Sequence, residues 1–313
     1  MLRYVIRRLL MGAVVVFVVS AVVFFVPRLA GDPVQSMLPL DHTPEQRDAL
    51  EKSLGWDRPL LTQFWDFLSG AARLDFGDSV WQRRPALEVI SDRLPATLEL
   101  AGAAILITLI VALPLGVAAA LRPNSAADRL VTALALVGFS IPLFFLGLIL
   151  MLTFSVWLGW LPTSGRGSLA HLVLPSVALA LNGIGSLTVL TRSVMIEELN
   201  RPWIRTARAK NLPFRRTVGV HALKNAAPTI VTGIGLDIIS LVATGVVIAE
   251  VVFAWPGLGT VALVAITRND LVLLQALVFC AATAVVLLNI VIDLLYKLFD
   301  PRIDYTQDSV RSA

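Results

Sequence analysis

Charge is scarce in this sequence. Asp, Glu, Lys and Arg make up 15% of its 313 residues, where a soluble domain carries roughly 25%. That excludes an ordinary water-soluble globule before any motif is read. Cysteine is nearly absent: Cys280 stands alone in an apolar run, which rules out a disulfide framework and a CxxC metal pair and leaves a small buried packing residue. Histidine is as rare. His42, His171 and His221 lie far apart in three different loops or loop edges, so no histidine metal centre is expected. There is no GxxxxGK[ST] and hence no phosphate-cradling loop, and neither HExxH nor GxSxG occurs. Any uphill work would draw on an ion gradient or on a partner's ATP. The net charge is +4, with the basic residues gathered at segment ends, which fits orientation in a membrane and not contact with nucleic acid.

What is abundant is apolar surface: 57% of residues are hydrophobic and the mean hydropathy is +0.78. Six hydrophobic stretches are read as helices crossing a hydrocarbon core of about 30 Å. The first, Leu9–Val26, follows Arg3, Arg7 and Arg8. It exceeds the roughly 7–15 residues of a signal-peptide core and ends without a small-x-small cleavage site, so it reads as a helix whose N-terminus is cytoplasmic. The second, Thr97–Leu121, contains Pro114 and Gly116, which neighbouring helices tolerate in lipid. The third, Leu130–Leu158, is broken by Ser140-Ile141-Pro142, so tilt or a kink at Pro142 is expected. Leu172–Leu190, Ala226–Phe253 and Leu271–Leu295 complete an all-α polytopic membrane protein.

Three parts follow: residues 1–27 as the N-terminal tail and first span, 28–96 as an extracytoplasmic cap, and 97–313 as a core of five spans. In the cap, Thr43-Pro44-Glu45-Gln46 has the pattern of a helix start with a capping box, and a second helix is expected over Pro59–Leu68. Trp56, Phe64, Trp65, Phe67, Phe76 and Trp81 are more aromatics than a solvated linker needs. They serve either to pack over helix ends or to dock a partner. Charge counting supports both termini inside. The cytoplasmic pieces then hold Arg3, Arg7, Arg8, Arg122, Arg129, the basic stretch described next, Lys297, Arg302 and Arg311, while the short outer loops hold Arg166 and Arg268.

Arg192–Lys224 carries eight of the 26 Lys and Arg residues. Each would cost about 2.5–3.5 kcal/mol at the centre of a spanning helix, so the stretch lies in water or against protein. It is either a loop that sets topology or a docking element for a soluble partner. Ala207 and Ala209 keep a helix surface small, Arg205, Arg208 and Lys210 can meet acidic groups, and Trp203 and Phe214 are anchors of the kind enriched at interfaces. Pro202 and Pro213 punctuate the ends.

Polar groups inside the spans are few, which makes each a functional hypothesis. Asp237 lies within the fifth span and either lines a pathway or bonds to another helix. Asp293 stands four residues before Lys297 near the end of the sixth, in a favourable i,i+4 order. Asn182 and Asn289 are expected to face the bundle interior. Two isolated acids do not form a proton relay. Pro256, Gly257 and Gly259 break the fifth span at its outer end and allow a re-entrant turn, which is permitted at membrane depth only against protein or a cavity.

Several stretches together resemble one family, the peptide-type inner-membrane permeases of bacterial ATP-binding-cassette importers, and within it the first of the two permeases, the dipeptide/oligopeptide B-type subunit. They are Met-Leu-Arg-Tyr-Val-Ile-Arg-Arg-Leu-Leu at the start, Arg28-Leu-Ala-Gly-Asp-Pro-Val34, Leu54-Gly-Trp-Asp-Arg-Pro-Leu60, Arg93-Leu-Pro-Ala-Thr-Leu-Glu-Leu100 and Ser140-Ile-Pro-Leu-Phe-Phe-Leu-Gly147. Further on come Arg205-Thr-Ala-Arg-Ala-Lys-Asn-Leu212, His221-Ala-Leu-Lys-Asn-Ala226, Glu250-Val-Val-Phe-Ala-Trp-Pro-Gly-Leu-Gly259, Asp293-Leu-Leu-Tyr and Asp300-Pro-Arg-Ile303.

The resemblance implies the type I importer permease fold with six transmembrane helices, in a bacterial cytoplasmic membrane. It implies a second homologous permease, two cytoplasmic ATPases that bind the ATP and Mg, and an extracytoplasmic binding protein. This chain itself would bind no cofactor and do no chemistry. Arg201, Trp203, Arg205, Thr206, Ala207, Arg208, Ala209, Lys210, Asn211 and Phe214 become the ATPase-coupling set. Asn211 replaces the motif's usual Gly, and Asn tolerates the left-handed backbone such a turn needs. Asn182, Ser186, Asp237, Glu250, Phe253, Trp255, Pro256, Gly257 and Gly259 form the expected gate and pathway set. The permeant would be a di- or oligopeptide, with nickel chelates and glutathione as the alternatives within the family. A secondary transporter run by an ion gradient and a non-transporting scaffold are the rivals outside it.

Overall fold

Long apolar runs separated by Pro, Gly and polar residues leave the backbone little choice in lipid, where each N–H and C=O needs an internal partner. Among the described residues of the computed structural model, 2–30, 34, 38, 43–53 and 55–299, every regular element is helical, with one isolated antiparallel bridge between Asp78 and Pro85. Gly31-Asp32-Pro33, His42, Leu54, the stretch from Asp300 onward and the side chain of Lys297 lie outside the described residues. Five helices are long and apolar enough to cross a membrane, or six if one sharply bent pair counts as a single span.

The helices are α1 Leu2–Ala30, α2 Pro44–Ser53, α3 Leu60–Ala72, α4 Ala86–Leu121, α5 Ala126–Ser140, α6 Leu143–Leu150 continued by a π turn over Met151–Trp157, α7 Leu169–Leu199 and α8 Pro202–Ala209. Then come α9, Phe214–Val252, which carries π segments at Thr217–Leu223 and Leu241–Gly245, α10 Leu258–Thr267 and α11 Leu271–Phe299. The chain forms two compact units, Met1–Glu99 with Ala254–Leu287, and Leu100–Phe253 with Leu288–Ala313. The linear three-part division read from sequence does not show that residues 254–287 join the first unit.

In the first unit α1 presents Leu9, Leu10, Val14, Val18, Val22 and Val26 outward, about half exposed or more. On a soluble surface this would be an aggregation site; in lipid it is the solvent-facing side. Its other side meets α3 through aromatics. Phe64 lies 5.2 Å from Phe24 and 5.1 Å from Phe25, centroid to centroid, and Phe67 and Phe76 pack on Phe279. Phe64, Phe67 and Phe76 are therefore packing residues, whereas Trp65 and Trp81 stay more than half exposed. Gln63 Nε2 donates to the carbonyls of Trp56 and Arg58, which fixes the bend before α3. The helix start at Thr43 forms as its sequence pattern indicates: Thr43 N–H donates to Gln46 Oε1 at 3.1 Å and Gln46 N–H to Thr43 Oγ1 at 3.4 Å.

Helix α4 begins at Ala86, well ahead of Thr97, because Ala86, Val89 and Ile90 form a stripe buried with Val261, Ala265, Leu273, Ala276 and Leu277 of α10 and α11. Pro95 and Pro114 do not interrupt it.

In the second unit α7 is the central element. Gly116 of α4 lies against it, and a Cβ there would come 2.6 Å from Thr191 Cβ. Gly185 lies against Ala135 and Phe139 of α5. Small residues at helix crossings let backbones approach where dispersion, not water exclusion, drives association. The third hydrophobic stretch bends far more than a proline kink, since α5 and α6 meet at 105° across the break at Pro142.

Candidate functional site

The basic stretch divides into three structural roles. Arg192 belongs to α7 and makes a two-pronged ion pair with Asp128, donating from Nε to Oδ1 and from Nη2 to Oδ2 at 2.7 Å. Lys224 belongs to α9. Between them stands α8, eight residues with Pro202 in its first turn, where a missing N–H does no harm. Ile204 is fully buried and joins a cluster with Ala112 and Ala120 of α4, Leu187 and Met195 of α7 and Val218, Ala222, Ala226 and Ile230 of α9. One apolar anchor thus ties α8 to three long helices.

The outward face of α8 holds Trp203, Arg205, Thr206, Arg208, Ala209 and Lys210, with Arg201, Asn211 and Phe214 flanking it, Trp203 at 47% and Phe214 at 61% exposure. Ala207 is a correction to the expected surface: i,i+3 spacing places it on the buried side with Ile204, so among the alanines only Ala209 keeps the outer face small. Arg201 is held by Glu197 and its guanidinium lies 5.7 Å from the Trp203 ring centroid. The helix ends on Asn211 at φ 56°. Asn211 N–H donates to the Arg208 carbonyl at 2.9 Å and Leu212 N–H to the Ala207 carbonyl at 3.2 Å. That is the Schellman closure, with Asn in the place usually taken by Gly and a proline two residues on.

Asn182 and Asp237 line a cavity of about 200 Å³ in the second unit, together with Thr108, Leu179, Gly183, Ser240 and Thr244. Ser186 stands behind it and donates from Oγ to Asp237 Oδ2 at 2.7 Å. Asn182 Nδ2 donates to the Phe139 carbonyl at 3.3 Å. These three expected residues come together. The other six do not border that cavity.

Glu250 and Phe253 are buried in the second unit at the end of α9. In the first unit, Ala254 takes φ 48°, which costs a residue with a Cβ about 1–2 kcal/mol. Trp255 is fully buried and its indole Nε1–H donates to the Ala96 carbonyl at 2.8 Å. Leu258 N–H donates to Thr97 Oγ1 at 2.8 Å. Gly257 and Gly259 are buried and Pro256 is half-buried. The helix does break here as Pro256 and the glycines indicate, but Trp255 packs in protein and does not face open space.

Two residues that the sequence reading did not single out hold joints of the fold. Asp128 is the partner of Arg192; Ser125-Ala-Ala-Asp128 is a helix-start pattern that sequence does carry, but nothing local marks the pairing with Arg192. Asp270, 1% exposed, accepts from Ser79 Oγ at 2.5 Å, from Trp81 N–H at 3.1 Å and from Leu273 N–H at 3.1 Å. An Asp directly before the apolar run of α11 is an N-cap signal that sequence does carry. Among the described residues no three His, Cys, Asp or Glu side chains stand together where a metal could be held. His171 instead bonds Ser168 at the start of α7.

Residues 112–305 match the family described as binding-protein-dependent transport system inner membrane component, and residues 1–101 match the N-terminal region of binding-protein-dependent transport system membrane components. The glutathione transport system permease proteins GsiC of Escherichia coli and Salmonella typhimurium are each 37% identical over 306 residues, spanning 97% of this chain and all of the relative. Among solved structures, an inward-facing form of the MetNI methionine ABC transporter superposes with a TM-score of 0.57 at 18% identity, over 68% of this chain and 97% of that one. An amino acid ABC transporter with histidines gives a TM-score of 0.51 at 16% identity, over 69% and 94%. These two likenesses are of fold.

Proposed function

We infer, from the premise that this chain belongs to the family of binding-protein-dependent transport system inner-membrane components and is an ABC importer permease subunit, how it works and what it carries. It forms half of a transmembrane pathway with a second permease. Two cytoplasmic ATPases hold the ATP and Mg, one of them docking on α8, and an extracytoplasmic binding protein delivers the permeant. The permeant is a short peptide. Glutathione, the cargo named for the 37%-identical relatives, is itself a tripeptide and falls in the same class. Both termini lie in the cytoplasm.

The observation that carries this reading is the construction of α8. Its inner face is fixed by Ile204 to α4, α7 and α9, and its outer face offers Trp203, Arg205, Arg208 and Lys210 with Phe214 beside them. A push on that face reaches three helices through the buried side of α8, chiefly Ile204. Domain closure of the ATPases would then tilt those helices and switch the pathway between two arrangements. The break at Phe253–Gly259 serves as the outer gate in this scheme, with the left-handed Ala254 as stored strain of the kind that collects at switch regions.

The test is purification in mild detergent followed by identification of co-purifying chains and assay of ATP hydrolysis, with an Arg205→Ala, Arg208→Ala double variant alongside. Two ATPases and a second permease should come with the wild type, and the variant should lose assembly or coupled hydrolysis. A chain that purifies alone, hydrolyses nothing and still supports uptake under an ion gradient would sink the reading in favour of a secondary transporter.

A further inference from the structure

The cavity beside Asp237 has an acid and nothing to neutralise it. Its lining contains no Lys, Arg or His. The one described partner of the Asp237 carboxylate is the Ser186 hydroxyl on Oδ2, which leaves Oδ1 without a hydrogen bond among the described residues. Asn182, on the same cavity, gives its amide N–H to Phe139 and keeps its side-chain carbonyl as an acceptor. The rest of the wall is mostly aliphatic, with Leu109, Leu143, Leu179 and Ile234 among its members. An acceptor pair set in an aliphatic wall has the chemistry to take a donor-rich cation with an organic body.

That chemistry separates possible occupants. A divalent metal wants several hard oxygen ligands, carboxylates foremost, and this wall offers one carboxylate, with only an amide and the hydroxyls of Thr108, Ser240 and Thr244 beside it. No group of three acidic, histidine or cysteine side chains stands here or elsewhere among the described residues. A primary ammonium has three donors and one positive charge, which fits one carboxylate and a neighbouring carbonyl. The volume of about 200 Å³ is below the roughly 300–1,000 Å³ of pockets that enclose a drug-sized ligand, so the cavity seats one end of a permeant and not the whole of a tripeptide.

The backbone is also irregular where the cavity is built. The π segment Leu241–Gly245 begins one turn after Asp237 and contributes Leu241, Thr244 and Gly245 to the lining. Single π turns inside α-helices are frequent at functional sites. At Gly245 a Cβ would come 2.9 Å from Leu179 Cδ1, the movable end of a leucine that also lines the cavity.

We propose that Asp237, with Ser186 fixing its carboxylate and Asn182 as second acceptor, is a binding site for the free amino group of the permeant inside the membrane. The site would select for peptides with an unblocked N-terminus independently of the binding protein. It rests on the permease reading and adds a recognition element within the pathway. Ser186 is a positioning residue, since its hydroxyl reaches the carboxylate and not the permeant.

Carbodiimide coupling tests it directly. The reagent activates a carboxyl group, an amine displaces it, and the amide forms as the reagent leaves as its urea. The complete complex in lipid nanodiscs, without binding protein, is coupled to trialanine amide or to methylamine at equal concentration, and the adduct at each carboxylate is read by mass spectrometry. Trialanine amide should label Asp237 at least tenfold more than methylamine does. Exposed carboxylates such as Glu88 should show no such preference, Asp237→Asn should show no adduct at that position, and excess N-acetyl-trialanine amide should not protect.

Equal preference at Asp237 and Glu88 overturns the proposal, as does no Asp237 adduct with either amine. Protection by the acetylated peptide overturns it too, because the peptide body and not the amine would then be recognised. If no ATP-hydrolysing complex can be isolated, the permease reading itself fails and this inference goes with it. An intact, hydrolysing complex that shows no amine preference removes only the amine site.

Discussion

Arg192 holds Asp128 by both carboxylate oxygens across 64 residues of sequence. Asp128 has 2% of its side chain exposed and Arg192 25%, and the carboxylate also accepts from Asn124 N–H at 2.8 Å. Ser125 caps the same turn by accepting from Asp128 N–H. The start of α5 is thereby tied to α7 a short way before α8.

Asp128→Ala leaves a half-buried guanidinium without its partner, which destabilises because the remaining charge is partly desolvated and unpaired. Arg192→Lys also weakens the joint, because an ammonium cannot reproduce two parallel N–H donors. Detergent-solubilised complex heated and then run on size exclusion should show a clearly lower midpoint for Asp128→Ala and a smaller drop for Arg192→Lys. Equal midpoints for wild type and Asp128→Ala would mean the pair contributes nothing.

Asn211 ends α8 in a left-handed conformation. Asn211→Gly relieves the Cβ there and should keep ATPase docking intact. Asn211→Val forces a β-branched residue into that region at about 1–2 kcal/mol or more, and should reduce the ATPase recovered per permease in a pull-down. A Val variant that recovers as much ATPase as wild type would show that the turn can be rebuilt without cost.

Trp255→Phe removes the indole N–H that donates to the Ala96 carbonyl. That carbonyl lies within α4 and keeps its helical partner, so the loss is the net worth of one hydrogen bond, about 0.5–1.5 kcal/mol, and the thermal midpoint should fall slightly although an aromatic ring remains. Transport measured at a permissive temperature then separates packing from gating. Normal uptake with a lowered midpoint would assign Trp255 to packing alone.

The sequence was legible where a local rule governs. Thr43 and Gln46 pair as a capping box, Asn211 is left-handed where Gly was wanted, and Pro256 with its glycines ends α9. The six apolar runs correspond to five long helices and one bent pair. It was not legible where tertiary contacts decide. Pro142 marks a break but not its 105° angle, which depends on what α5 and α6 each pack against. Ala207 turned inward because Ile204 found a pocket three residues earlier. Charge counting placed Arg192 in water or against protein without naming a partner, because its acid lies on another helix and no spacing could reveal the match. Asp237, Ser186 and Asn182 were each nameable as polar groups in spans. That they share one place depends on how α7 and α9 cross.

The two π segments of α9 affect how mutations along it must be interpreted. Each wide turn takes up more residues than an α turn of the same helix would. A helical wheel drawn with one constant period from Phe214 to Val252 therefore rotates everything beyond Leu241 onto the wrong side, Glu250 included. Cysteine-scanning patterns along this helix have to be phased separately before, between and after the two segments. Natural one-residue insertions or deletions in relatives should collect at Thr217–Leu223 and Leu241–Gly245, where the ladder can absorb them without moving either end of the span.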